Sequence, residues 1–197
     1  MSALYISIDG TLVASVCTDG LDVLTVNVGG TRIDENFADI NVSGGSYPDA
    51  GDSMYLTWIN QLPLKSGQIV SVSLEVNGST SYAGKTIDEL FPKEAGCEDL
   101  EFKPRSEIFS ELRVRPILRD KFGFKYESKN GTAVAGKTLP EEHGFGFSVL
   151  WHSSDLRRAK VSLHSYSLAA LEAGDPMNDH VREEILPGDW VRFVVTV

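Results

Sequence analysis

Cysteine is scarce in this chain of 197 residues, which contains only Cys17 and Cys97. Two cysteines cannot form the multiple disulfides of a small secreted domain or a cysteine-rich zinc site. Long apolar runs are also missing, since polar residues or glycine interrupt them before the roughly 20 residues that a membrane-spanning helix needs. The start, MSALYISIDG, lacks the basic and apolar regions of a secretory signal. These absences predict a soluble, cytoplasmic protein.

Motifs for phosphate binding and for covalent catalysis are absent as well. Gly29-Gly30 and Gly44-Gly45 are isolated pairs without the strand-to-helix context of a phosphate-binding loop, and no Gly-x-Ser-x-Gly sequence occurs. The four histidines, at 143, 152, 164 and 180, show none of the spacings typical of metal ligands. The sequence therefore predicts no cofactor and no metal. It favours a non-enzymatic role but leaves an enzyme open.

Charge is distributed unevenly along the chain, whose net charge is −10. Residues 1–96 carry twelve acidic and four basic side chains, a net of −8, and residues 97–197 carry sixteen and fourteen, a net of −2. A basic stretch runs from Lys103 to Lys129, and we read its part near Arg113 to Lys125 as a strand. The negative total makes nucleic acid an unfavourable partner and a basic protein a favourable one.

Alternation of apolar and polar residues predicts a mainly β protein, because successive side chains of a strand point to opposite faces. The clearest segments are Leu24–Val28, Met54–Ile59, Val70–Val76, Phe122–Tyr126, Phe145–Trp151 and Val191–Val197. Asn77-Gly78 and Asn130-Gly131 follow two of them and are typical of hairpin turns. Helical signals are few: Thr86 and Glu89 form a capping-box pattern, and residues 167–184 predict a helical insertion of two short helices, the second starting at Pro176.

Two β domains, residues 1–91 and 105–197, are predicted on either side of the linker 92–104, PKEAGCEDLEFKP. We expect sandwich- or barrel-like halves, with a single larger sandwich built from both halves as the alternative. Internal similarity supports a divergent tandem duplication, with coincidence as the other explanation. Gly67 stands three residues before the alternating segment that starts at Val70, and Gly188 stands three residues before the alternating segment that starts at Val191. We also matched the apolar segment that ends at Trp58 with the apolar segment that ends at Trp151.

The first functional hypothesis is a protein-binding module that uses an acidic surface. Acidic residues are concentrated in a predicted long loop from Thr31 to Asp52, and long loops on a rigid β frame often carry recognition. Charge complementarity would then attract a basic partner, with a tyrosine as aromatic anchor. The candidate partner-binding residues are Asp34, Glu35, Asp39, Tyr47, Asp49 and Asp52.

Two alternatives belong to other functional classes. An assembly component would pack its acidic half against the basic stretch of a neighbouring copy, giving a homo-oligomer. An enzyme would place its site in the histidine-containing second half. A predicted strand from Arg158 to Tyr166 puts Lys160, Ser162, His164 and Tyr166 on one polar face. The candidate polar site comprises His152, Asp155, His164 and Tyr166.

Overall fold

A computed structural model describes residues 2–49, 51–92 and 103–197 of the chain. Within these ranges, twelve strands and three short helices follow one another. The strands are β1 (Ser2–Ile8), β2 (Thr11–Cys17), β3 (Val23–Thr31), β4 (Ala38–Ser46), β5 (Met54–Leu64), β6 (Ile69–Val76), β7 (Gly123–Ser128), β8 (Ala133–Lys137), β9 (Gly144–His152), β10 (Ala159–Tyr166), β11 (Asn178–Ile185) and β12 (Asp189–Thr196). The helices are α1 (Ile87–Leu90), α2 (Arg105–Val114) and α3 (Leu168–Ala173). None of the described helices is long and apolar enough to cross a membrane.

Two six-stranded antiparallel sheets confirm the mainly β class. The first sheet has the order β2-β1-β6-β12-β7-β8 and the second the order β11-β10-β9-β3-β4-β5. Their inner faces share one apolar core, in which Phe193 of the first sheet stacks on Phe147 of the second with ring centroids 4.8 Å apart. The alternating residues of each strand supply this core, so the two sheets form a sandwich.

The strand order is symmetric about the middle of each sheet. Strands β1 to β6 take the same relative places as β7 to β12, so each chain half contributes three strands to each sheet. The halves join edge to edge where β6 pairs with β12 and β3 pairs with β9. Two similar β halves thus share both sheets, as in the predicted alternative of one larger sandwich. Residues 93–102 of the predicted linker lie outside the described part of the chain.

Hydrogen bonds at the central β6–β12 junction are reciprocal. The Gly67 amide donates to the Val195 carbonyl at 2.8 Å, and the Gly188 amide donates to the Leu74 carbonyl at 2.6 Å. Both glycines have positive φ, 87° and 90°, which glycine adopts without a Cβ clash. The two glycine turns are therefore equivalent in conformation and in bonding.

The tryptophans matched in the sequence do not occupy equivalent strands. Trp58 belongs to β5 and Trp151 to β9. By position in the sheets, however, the counterpart of β5 in the second half is β11, and the counterpart of β9 in the first half is β3. That part of the alignment is wrong. The equivalence of Gly67 with Gly188, and of the strands that follow them, agrees with the strand order.

The predicted long loop from Thr31 to Asp52 is wrong, because β4 occupies its centre. Ala38, Ile40 and Val42 are buried in the core and alternate with polar residues on the outer face. Gly44-Gly45, which resembled a turn in the sequence, instead continues the strand opposite Leu24 and Val23 of β3. In the described part of the chain, residues 32–37 precede β4, and residues 47–49 and 51–53 follow it, outside any strand.

The helices differ from prediction in two places. The capping box is confirmed, since the Thr86 hydroxyl accepts from the Glu89 amide and the Glu89 carboxylate accepts from the Thr86 amide. The helix before Gly174 is also confirmed as α3. The second helix after Pro176 is wrong, because those residues form β11 and pair with β10. Helix α2 was not predicted, and it takes in part of the basic stretch that we read as strand.

The two Asn-Gly pairs have different outcomes. Asn130-Gly131 joins β7 to β8 in the predicted hairpin. Asn77 adopts a positive φ of 57°, as a turn residue does, but no hairpin follows it. Strand β6 instead lies between β1 and β12, so both of its edges are already occupied. The Asn77-Gly78 hairpin prediction is therefore wrong.

Candidate functional site

The six predicted partner-binding residues fall into two groups at opposite ends of β4. Asp34, Glu35 and Asp39 lie before or at its start, and Tyr47, Asp49 and Asp52 follow its end. At about 3.3 Å per residue, Asp39 and Tyr47 are about 25 Å apart along the strand. One continuous loop surface therefore cannot include both groups.

Arginines of the same chain engage the first group. Arg115 lies 3.6 Å from the Asp34 carboxylate, and the Arg119 guanidinium donates to the carbonyls of Thr31, Asp34 and Glu35 at 2.5, 2.7 and 3.1 Å. The segment after α2 is thereby fastened to the connection between β3 and β4. The Asp34 carboxylate of this group is thus already paired with a basic side chain of the same chain.

Asp22 holds the start of the second group. Its carboxylate accepts from the Tyr47 amide at 2.6 Å and from the Ser153 hydroxyl at 3.1 Å. The Tyr47 bond, followed by the Ser153 bond, lowers the pKa of Asp22 because both bonds stabilise the ionised form. The backbone at Tyr47 is thus fixed, although 52% of the tyrosine remains exposed.

Exposed apolar side chains adjoin this turn on β5, an edge strand of the second sheet. Met54 pairs with Ser46, and Tyr55 pairs with Gly45, whose missing side chain leaves space for the Tyr47 ring. Met54 is 42% and Tyr55 51% exposed. We call Tyr47, Asp49, Asp52, Met54 and Tyr55 the acidic edge patch. It combines two aromatic rings with two exposed carboxylates.

A second candidate surface lies on the outer face of β9, β10 and β11. Lys160, Ser162, His164 and Tyr166 alternate with buried residues on β10, which confirms that they share one face. The His164 ring lies over Gly146, where a Cβ would approach its Nε2 atom to 2.7 Å. Burial lowers the pKa of His164, because desolvation disfavours the imidazolium form.

A groove of about 520 Å³ opens on this face. We call it the outer groove; its lining includes Ser148, Leu150, Lys160, Ser162, His164 and Arg182. An adjoining depression of about 400 Å³ contains His152 and Asp155 and shares Leu150, Lys160 and Glu184 with the groove. Both volumes fall in the range of small-ligand sites. The two concavities follow one another along β9 and β10.

The structure brings only some of the predicted polar-site residues together. His152 and Asp155 are neighbours, since the Asp155 amide donates to the His152 carbonyl at 3.0 Å. His164 lies opposite Gly146, six residues from His152 along β9 and therefore about 20 Å away. Tyr166 lies beside an apolar cavity lined by Ile33, Phe109 and Leu168 and others. These four side chains do not surround one reaction centre.

Sequence reasoning missed a partly buried polar cluster at the end of the sandwich near α3. The Ser165 hydroxyl lies 2.6 Å from the Glu142 carboxylate and 2.7 Å from His180 Nε2. The Glu142 carboxylate also accepts from the Leu139 amide at 2.6 Å and from the Asn178 amide group at 3.1 Å. Ser165 and Glu142 are buried, His180 is partly exposed and Asn178 is exposed, so this cluster joins β10, β11 and the loop before β9 and reaches the surface on β11. Its members are too far apart in sequence to form a recognisable motif.

In the described ranges, no group of three histidine, cysteine, aspartate or glutamate side chains is arranged to hold a metal ion. Comparisons with protein families, with curated proteins and with solved structures find no match to this chain.

Proposed function

We propose that this protein is a non-enzymatic interaction module whose acidic edge patch binds a basic segment of another protein. The observation that carries the proposal is the half-exposed Tyr47, whose backbone is fixed by the Asp22 carboxylate within an acidic turn. Fixed, exposed aromatic residues are typical anchors of protein interfaces, because little conformational entropy is lost when they bind.

Unpaired charge supports the choice of this surface. Asp49 and Asp52 are exposed, and none of the described cationic side chains forms an ion pair with either of them. Asp34 is already paired with Arg115. A net charge of −10 adds a long-range attraction for cationic partners, which raises association rates at low salt.

The chemistry of the partner follows from the side chains of the patch. Tyr47, Met54 and Tyr55 offer apolar area to aliphatic side chains, and the tyrosine rings can also stack on guanidinium groups. Asp49 and Asp52 can accept charge-assisted hydrogen bonds from arginine or lysine. The expected partner segment therefore contains arginine together with leucine or isoleucine.

Binding of a short, soluble peptide of alternating arginine and leucine tests the proposal. Replacing Tyr47 by Ala, or both Asp49 and Asp52 by Asn, should weaken binding about tenfold, as expected for loss of an anchor or of two charge-assisted contacts. The matched control is the double variant Asp120→Asn with Asp175→Asn. Each double variant changes the net charge from −10 to −8, but the control sites lie near the opposite end of the sandwich.

Equal weakening by the two double variants would show that only net charge matters and would overturn the proposal. Size measurement at low and high salt separates this function from assembly. A salt-sensitive oligomer would favour the assembly component, whereas a monomer that binds the peptide favours the interaction module. Lys103 pairs with Glu111, and Arg113 with Glu172, so several cations needed for assembly are already engaged within the chain.

We also propose that the two halves are a divergent duplication. The equivalent strand orders and the reciprocal bonds at Gly67 and Gly188 support it. The side chain after each glycine adds a further correspondence: Gln68 accepts from the Lys65 amide at 2.8 Å, and Asp189 accepts from the Leu186 amide at 2.9 Å.

A further inference from the structure

We propose that the outer groove binds a small hydroxylated carboxylate of the sugar-acid class, with Lys160 meeting the carboxylate and Ser148 and Ser162 meeting hydroxyl groups. The groove is separate from the acidic edge patch, since it lies on β9 to β11 and the patch lies at β5. The inference therefore does not depend on the proposed protein partner.

Charge pairing around the groove leaves one ammonium group available. Arg182 pairs with Asp179 at 2.6 Å, and Glu184 pairs with Arg158 at 2.5 Å. Lys160 lies opposite Glu184 in the register of β10 and β11, but Glu184 pairs with Arg158, and no described residue forms an ion pair with Lys160. An incoming carboxylate thus finds a cation that need not first be separated from a partner.

The third lining carboxylate, that of Glu183, is also engaged. It accepts from the Tyr126 hydroxyl and, at 2.9 Å, from the Thr132 hydroxyl. These bonds hold it toward the first sheet, where β7 and β8 lie. Repulsion of an anionic ligand by the groove is reduced because each lining carboxylate has a donor of its own.

Neutral groups of the groove match the rest of such a ligand. The hydroxyls of Ser148 and Ser162 lie 2.8 Å apart and bond to each other, so both can exchange this bond for bonds to ligand hydroxyls. Leu150 and Met177 provide apolar contact for the C–H groups of a sugar ring. The His164 ring lies over Gly146 and forms part of the wall of the groove.

The first half of the chain provides an internal comparison. Strands β3 and β9 begin 121 residues apart, as do β4 and β10, and Gly67 and Gly188 are separated by the same number. By this offset, the cross-strand pair Asn27 and Asn41 corresponds to the pair Ser148 and Ser162, and Asp39 corresponds to Lys160. The Asn41 amide donates to the Asp39 carboxylate at 2.7 Å, and the Asn41 oxygen accepts from the Gln61 amide at 2.9 Å. In the first half these positions therefore bond to each other and to a neighbouring strand, whereas in the second half no described residue forms an ion pair with Lys160.

Titration of the full chain with D-glucuronate, followed by amide NMR, tests the inference. D-glucose lacks the carboxylate and acetate lacks the hydroxyls, so both serve as comparison ligands at matched ionic strength. We expect saturable shifts at Ser148, Ser162 and His164, and glucuronate binding about tenfold tighter than either comparison ligand, as one charge-assisted contact provides.

Lys160→Gln should lose about the same tenfold in glucuronate affinity. Lys125→Gln is the matched control, because Lys125 is also exposed on a strand, but in the first sheet and away from the groove. Amide spectra of both variants establish that they are folded. Absence of saturable shifts on β9 to β11, equal affinity for glucose and glucuronate, or an unchanged affinity in Lys160→Gln would each overturn the inference.

Discussion

Replacing Phe193 by Ala should strongly destabilise the whole protein. Phe193 is fully buried, stacks on Phe147 at 4.8 Å and lies 5.8 Å from Phe145, so its ring contacts the opposite sheet. Truncation of a buried phenylalanine to alanine costs about 3–5 kcal/mol in the free energy of unfolding. For a chain of this size, each kcal/mol lowers the melting temperature by about 2–4 °C, so the expected decrease is about 6–20 °C.

Urea unfolding, followed by circular dichroism and by hydrogen exchange, measures both the size and the extent of this effect. Because β12 pairs with β6 and the core spans both halves, we expect one cooperative transition and faster exchange in β1 and β6 as well as in β7. Phe193→Leu, which retains most of the apolar volume, should cost less than about 1.5 kcal/mol. A loss below 1 kcal/mol in Phe193→Ala, or exchange that increases only in residues 105–197, would refute the reasoning and favour independent domains.

Two further predictions concern single glycines. Gly67→Ala and Gly188→Ala should each lower the free energy of unfolding by about 1–2 kcal/mol, because alanine is strained at positive φ; clearly unequal losses in urea would count against the equivalence of the turns. Gly146→Ala should displace the His164 ring toward solvent and raise the pKa of His164 toward its ordinary value, as measured by NMR titration. Since the folded-state pKa of His164 is lowered, its contribution to stability is present above about pH 6.5 and is lost as the pH falls through the folded-state pKa. This loss should be smaller in Gly146→Ala, and an unchanged pKa would show that the ring does not move.

Strands whose inner residues alternate without interruption were predictable from the sequence. Val70 to Val76 and Phe145 to Trp151 place every second residue in the core, and both are strands in the structure. Strand β4 was missed because its polar outer face and Gly44-Gly45 resemble a loop. Its pairing with β3 and β5 overrides that local preference.

Helix α2 and strand β11 show why the region after the linker was harder to predict. Only Phe109 of α2 is buried, so the helix lacks the wide apolar stripe that reveals an amphipathic helix. Strand β11 pairs with β10 through an irregular register between Leu163 and His164, which interrupts its alternation. Pro176, which precedes β11, also resembles the proline that often occupies the first position of a helix.

The sequence predicted which residues the candidate surfaces contain, but not where these residues lie in the fold. Sequence indicated the polar face of β10 through Lys160 and His164, because strand alternation alone assigns residues to faces. It could not show that Arg115 pairs with Asp34 or that Arg119 donates to carbonyls of the connection between β3 and β4, since those contacts join residues more than eighty positions apart. The separation of Asp39 from Tyr47 likewise depends on β4, which the sequence did not reveal.

The reciprocal junction at Gly67 and Gly188 has the form of an isologous contact, which normally joins two identical subunits. In a homodimer, every substitution appears on both sides, and the contact weakens on dilution. Within one chain, the same contact persists at any concentration. Each side can also acquire its own chemistry, so Asp39 is bonded to Asn41 in one half while Lys160, at the corresponding position, lines a groove in the other.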